Sequence, residues 1–243
     1  SPISSVGSVP SAEPSFPFEG ALVTGNNDDF YVLGGVWGEV SALAIKHFGG
    51  DGKQIGDDVV TSGLNFNPKF PLNSGNAVID ANNNLYVTGF ASMPGSQPRS
   101  EILGQGVAKF SLETGAVDTS FGENGFAFAQ RTDTAVTEDV VQEFWPNTTL
   151  VLQADGNIDM IDLSLTPNED EQSFADAELR SRRISPTGSV GPVRQFVILE
   201  KVAPLGIPFD LVSAVLGATV NAEGQFFVSM PGLITETVPN EED

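Results

Sequence analysis

The chain contains no cysteine. Disulfides, thiolate metal sites and cysteine nucleophiles are thereby excluded, although that absence does not fix the compartment. Histidine is nearly absent too: His47 stands alone, so no cluster of imidazole and thiolate ligands can form. No apolar stretch approaches the roughly 20 residues that cross a bilayer as a helix. Positive charge is scarce, with 11 Lys and Arg against 32 Asp and Glu and a formal net charge of −21. Such a surface repels nucleic-acid backbones and anionic membranes, so neither nucleic acid nor membrane insertion is expected. Gly-x-Ser-x-Gly elbows, phosphate loops and dinucleotide fingerprints are missing. So are amphipathic stretches of period 3.6, while 26 Gly and 16 Pro punctuate the chain. Long helices are therefore not expected; the one short exception is placed near Asp133–Glu143.

What is present is repetition. A small polar turn precedes an aromatic or aliphatic strand four times. Asn26-Asn27-Asp28-Asp29 leads into Phe30-Tyr31-Val32-Leu33, and Asp80-Ala81-Asn82-Asn83-Asn84 into Leu85-Tyr86-Val87. Gln153-Ala154-Asp155-Gly156-Asn157 leads into Ile158, and Asn221-Ala222-Glu223-Gly224-Gln225 into Phe226-Phe227-Val228. Asn, Asp and Gly tolerate the positive φ that tight hairpins require. Short β-prone runs precede each turn, at Ala21-Leu22-Val23, Ala77-Val78-Ile79, Leu150-Val151-Leu152 and Ala218-Thr219-Val220. Each phrase therefore predicts a hairpin. In the first three copies a second phrase follows, with a basic residue six positions before a glycine: Lys46 and Gly52, Lys109 and Gly115, Arg182 and Gly188. It predicts a second hairpin, turned at the glycine.

Two hairpins per copy make four strands, the content of one propeller blade. The stretch Asp80 to Gly89 resembles the bacterial β-propeller repeat family marked by a D-x-x-G-N-x-Y-V-T-G run. Asn83 stands where that family usually has glycine. The continuation Asp118-Thr119-Ser120-Phe121-Gly122-Glu123-Asn124-Gly125 is similar to the delta-sixty repeat of bacterial surface proteins. The resemblance implies repeat architecture and bacterial export, and implies no activity. The third copy departs from it, with Asp159 and Asp162 at strand positions, which argues against full burial of that strand.

The expected fold is thus all-β and propeller-like, with about three and a half four-stranded repeats forming a partial or small propeller. Residues 1–20 read as an extended arm, and Ser1–Ser15 as a processed or excised terminus. Residues 21–232 form the repeat domain, divided near 21–76, 77–148, 149–216 and a partial 217–232. Residues 233–243 form an acidic tail. Three and a half copies fall short of the usual four to eight blades. Closure is left to terminal strands, to a larger parent propeller, or to a neighbouring subunit.

Chemistry-bearing residues are few. Asp155, Asn157, Asp159 and Asp162 alternate around Gly156 in a way that resembles part of a calcium loop, which makes calcium the one cofactor considered. Asp-Gly-Asn is also ordinary turn chemistry, and that reading is favoured. Trp37 and Trp145 sit in or beside loops where a glycan could stack, although blade-to-blade packing is the favoured role. Paired carboxylates for sugar hydrolysis are not distinguishable among so many acidic residues. His47 reads as a strand residue. Asn147-Thr148-Thr149 is a glycosylation sequon. The composition and repeats point to a non-enzymatic structural or adhesive protein, extracellular or at the cell surface, partnered by itself or by other surface proteins. The alternative is a glycan- or peptide-binding module, and a carbohydrate-active enzyme comes third.

Overall fold

The computed structural model describes residues 21–26, 28–36, 42–68, 76–92, 102–136, 147–167, 174–200, 217–220 and 226–229. The hairpins form where the turn chemistry puts them. Strand β1 (Ala21–Thr24) pairs with β2 (Phe30–Val36), which pairs with β3 (Ala42–Phe48) and then β4 (Val59–Val60). The second sheet holds β5 (Phe66–Pro68), β6 (Ala77–Ile79), β7 (Asn84–Ser92), β8 (Ile102–Ser111) and β9 (Phe126–Val136). Its first position is shared, because β6 pairs with Leu85–Val87 of β7 while β5 pairs with Gly89–Ala91. The third sheet runs β10 (Asn147–Leu152), β11 (Ile158–Pro167), β12 (Phe174–Ile184) and β13 (Val190–Glu200) in order. A last hairpin joins β14 (Gly217–Val220) to β15 (Phe226–Ser229). All these pairings are antiparallel, and the described residues contain no helix.

The same hydrogen bond closes the first turn of each copy: Gly25 N to Asp29 O at 2.8 Å, Asp80 N to Asn84 O at 3.0 Å, and Gln153 N to Asn157 O at 2.8 Å. One position before the residue whose carbonyl closes the turn, φ is positive at Asp28 (57°), Asn83 (58°) and Gly156 (80°). Asn and Asp take this conformation more readily than other side-chain residues. Asn83 thus takes here the conformation that Gly156 takes in the third copy. The second turns close through Gly49 N to Lys53 O, Ser111 N to Ala116 O and Ser185 N to Ser189 O. Gly52, Gly115 and Gly188 occupy equivalent positive-φ positions there, at 76°, 68° and 83°.

The three basic residues are not equivalent, however. Lys46 lies opposite Val32 and Arg182 opposite Met160, on one face of their sheets. Lys109 lies opposite Tyr86, the place that His47 takes opposite Tyr31 and Arg183 takes opposite Asp159. The turn around Gly115 is one residue longer than the other two, so equal spacing in sequence delivers the opposite face. A second correction concerns Asp133–Glu143. Its first residues, Asp133–Val136, continue β9 rather than begin a helix. Thr132, Thr134 and Val136 place β-branched residues at period two there.

The three large sheets stack face to face like propeller blades. We call the face toward the next sheet the leading face and the other the trailing face. Val23, Tyr31, Leu33 and Ile45 on the leading face of the first sheet pack with Ala77, Ile79, Leu85, Val87 and Phe110 on the trailing face of the second. On the other side of the second sheet, Tyr86, Val107 and Ala127 join Phe121 against Leu150, Ile158, Met160 and Ile184 of the third. Strands buried on both faces read as continuous apolar runs, which is why Leu85-Tyr86-Val87 does not alternate. The opening strands adjoin in series: β1 lies against β6, β6 against β10, and β10 against β14. That is how first strands ring a propeller axis.

Candidate functional site

The four calcium candidates do not converge. Asp155 spends its carboxylate on its own turn, accepting from Asn157 N at 3.0 Å and Asn157 Nδ2 at 2.7 Å. Those bonds hold its carboxyl below the usual range. Asp159 and Asp162 are three residues apart on β11, so their side chains leave by opposite faces. Both are buried, at 1% and 2% exposure, against the expectation of an incompletely buried strand. Arginine explains it. Arg183 grips Asp159 in a fork, Nε to Oδ1 at 3.0 Å and Nη2 to Oδ2 at 2.9 Å, and Gln153 adds a third bond at 2.7 Å. Arg182 pairs with Asp162. Asp159 thus has its charge matched and both oxygens bonded, and Asp162 has its charge matched by Arg182, which is what lets a buried carboxylate be tolerated. Among the described residues no group of three or more His, Asp or Glu side chains is arranged to hold a metal ion.

Asp162 belongs to a polar layer between the second and third sheets. Asn76 Nδ2 donates to Thr148 O at 2.7 Å, and Gln105 Nε2 donates to Thr148 Oγ1 at 3.0 Å. Thr148 and Thr149 are buried, so the glycosylation sequon lies within β10 rather than in a loop. A related device anchors the second copy. Asp80 accepts from Asn82 N, Asn84 N, Asn84 Nδ2 and the Tyr86 hydroxyl, all within 3.0 Å. Burial pushes Asp80 up, and these four donors more than reverse it, so its carboxyl lies below the usual value. Tyr86, pressed by burial and then by the Asp80 charge, is held well above the ordinary tyrosine range.

His47 is a strand residue, as its context predicts. Its ring stacks on Tyr31 at 4.4 Å and its Nε2 sits 2.9 Å from Asp29 Oδ2. Burial, then the Asp29 charge, raises the Tyr31 phenol. Asp58 pairs with Lys46 at 3.0 Å. Trp37, Trp145, Asp139, Glu143 and Glu169–Glu171 lie outside the described residues.

The feature that stands apart is the trailing face of the first sheet. In the second and third sheets that face is sealed: Ala77 is 1% exposed and Leu150 3%, while Leu85 and Ile158 are fully buried. The matching positions in the first sheet are Leu22, 55% exposed, and Phe30, only half-buried. Phe30 stacks on Phe48 across the strands at 5.1 Å, Val32 lies between Leu22 and Lys46 in register, and Val60 is 48% exposed. A mostly apolar sheet face, which also carries the Lys46–Asp58 pair, is thus presented to solvent where its two counterparts are core. Sequence reasoning passed over this face, though the signal was there. Ala21-Leu22-Val23 and Phe30-Tyr31-Val32-Leu33 are apolar in both parities, the mark of a sheet meant to be covered on both sides.

No family model matches the chain, and no curated protein does. Among solved structures, the catalytic domain of a GH62 α-L-arabinofuranosidase from Coprinopsis cinerea is similar over 76% of this chain and 69% of that one. The identity is 11% and the TM-score 0.28. A superposition that loose carries no argument about chemistry.

Proposed function

We propose that this protein is a non-enzymatic structural or adhesive repeat protein, working outside the cell or at its surface as part of an assembly. The supporting observation is the uncovered trailing face of the first sheet, with Leu22 and Val60 about half exposed. A contiguous apolar face on a folded protein marks an interaction surface, and this one repeats a surface that the molecule buries twice internally. The acidic composition keeps such a particle soluble and sets a repulsion that assembly must overcome. The Asp80–Gly89 and Asp118–Gly125 phrases support kinship with propeller-type repeats of bacterial surface proteins. The carboxylates described above serve turns and ion pairs, which supports a structural role for them.

Sedimentation velocity over a wide range of protein concentration, at low and at physiological salt, tests this reading. We expect reversible species larger than one chain, favoured by salt. A single species of 25.6 kDa under every condition, and no retention by other surface components, would overturn it.

A further inference from the structure

Resting on that assembly reading, we propose that the occupant of the open face is a second copy of this chain, docked head to tail. The leading side of the β14–β15 hairpin in one copy meets the trailing face of β1–β4 in the next.

Three observations carry this. The first is the exposed face itself, whose Leu22, Phe30 and Val32 positions are buried in the two sheets that a preceding sheet covers. The second lies at the far end of the stack. Thr219 pairs with Phe227 as Val23 pairs with Tyr31, Val78 with Tyr86 and Val151 with Asp159. Val23 and Val151 are buried against the following sheet's side of the stack, at 6% and 4%, whereas Thr219 is exposed. Among the described residues, the chain therefore presents one open trailing face and one open leading position, built from the same repeat. The third is the glycine turn. A Cβ at Gly115 would stand 2.4 Å from Val60 O, and one at Gly188 would stand 2.2 Å from Gly122 N, each on the preceding sheet. Backbone hydrogen bonds lock both contacts, Ser62 N to Gly115 O at 2.9 Å and Gly122 N to Thr187 O at 2.8 Å. A Cβ at the equivalent Gly52 would meet nothing within 4 Å. The first sheet thus carries both parts of the docking device, apolar face and glycine turn, with neither engaged.

A heterologous contact of this kind uses two different surfaces on each copy, so repetition yields a ring if the rotation closes and a filament if it does not. The apolar trailing face supplies the drive for burial. The Gly52 turn supplies orientation, because only glycine lets two backbones approach so closely.

The lack of native cysteine makes a clean test available. Leu22→Cys and Thr219→Cys chains are prepared singly, mixed in equal amounts and treated with a short bis-maleimide. The expected result is a mixed dimer well in excess of what either variant gives alone. Equal cross-linking of each variant with itself would overturn the head-to-tail arrangement. So would a Leu22→Cys, Thr219→Cys double variant that links only within one chain, because that would mean closure of a single molecule. A second variant, Gly52→Asn, keeps a residue that accepts positive φ and adds its bulk where the isolated chain has room. It should raise the dissociation constant by about thirty-fold, as loss of a central interface contact does, while the far-ultraviolet spectrum of the dilute chain is unchanged. If the chain assembles but Gly52→Asn and the cross-links show no preference, the docking geometry is wrong and the assembly reading survives. If the parent chain stays monomeric throughout, the assembly reading itself fails.

Discussion

Substituting alanine at Gly52, Gly115 and Gly188 one at a time separates backbone strain from sheet docking. All three glycines have φ between 68° and 83°, so each alanine carries about the same left-handed penalty, roughly 1–2 kcal/mol. At Gly52 that is the whole effect, since the new Cβ meets nothing. At Gly115 it also meets Val60 O at 2.4 Å and Val59 Cγ1 at 2.9 Å, and at Gly188 it meets the Gly122 backbone at 2.2 and 2.6 Å. Backbone cannot step aside as a flexible side chain can, so the sheets must part, for a further ~1–3 kcal/mol. In a chain of 243 residues, each kcal/mol lowers Tm by about 2–4 °C. We expect Gly52→Ala to lose about 2–8 °C, and the other two about 4–20 °C, with both of them below Gly52→Ala. Circular dichroism melts at a dilution where the chain is monomeric give the measurement. Three equal losses, or a larger loss at Gly52, would refute the claim that these turns dock the sheets.

Other substitutions probe the buried charges. Arg182→Met removes the guanidinium paired with the Asp162 carboxylate, which is 2% exposed, and should cost up to about 3–5 kcal/mol; adding Asp162→Leu should recover most of that, as read from urea midpoints. Tyr86→Phe removes the hydroxyl that donates to Asp80 Oδ2 at 3.0 Å and should cost about 1 kcal/mol. Because the folded-state pKa of Asp80 is lowered, its contribution is fully present above the unfolded value, about 3.9, and is lost as pH falls through the folded one; Asp80→Asn should flatten the fall in urea midpoint below pH 4. Association should strengthen as sodium chloride rises from about 0.01 to 0.15 M, where the Debye length shortens from about 30 to 8 Å; dissociation by salt in sedimentation experiments would mean that ion pairs, not apolar contacts, hold the copies together.

Much of the fold can be read from the sequence because its signals are local. A hairpin turn is a matter of four or five residues, and Asp80 to Asn84 writes its own hydrogen bonds. The Asp159 and Asp162 positions resist such reading because their partners, Arg183 and Arg182, lie 24 and 20 residues away. In isolation each looks like a polar residue spoiling a strand, or like a metal ligand. Only the cross-strand register brings the guanidinium groups alongside. Lys109 misleads for the opposite reason. Its spacing to Gly115 copies that of Lys46 to Gly52, yet one extra residue in the turn rotates it onto the other face. The open trailing face escaped notice because exposure is a property of the stack. Leu22 and Leu150 look alike in sequence, and what separates them is whether another sheet precedes.

The two internal interfaces differ in a way that bears on how a third would work. Between the second and third sheets a polar layer of Asn76, Gln105, Thr148, Asp162 and Arg182 underlies the apolar cluster. Its bonds are satisfied in one register only, so it fixes alignment as well as holding the sheets. Between the first and second sheets a hydrophobic cluster does the packing, with the His47–Asp29 bond beside Tyr31, and apolar contact is non-directional. Alignment there falls to hydrogen bonds at the turns: backbone bonds of Ser62 with Gly115 and Val117, and a bond from the Asn26 side-chain amide to Asp80 O at 3.0 Å. The open face is mostly of this second kind, with Leu22, Phe30, Val32, Phe48 and Val60 beside a single ion pair, Lys46 with Asp58. A partner seated on it would slide unless something else set its register, and the unengaged Gly52 turn is the element in the right place to do so. That is why Gly52→Asn and not a further apolar substitution is the informative variant. Truncating Leu22 would weaken any occupant of the face, whatever its orientation, whereas a Cβ at Gly52 obstructs only a partner that docks as the internal sheets do.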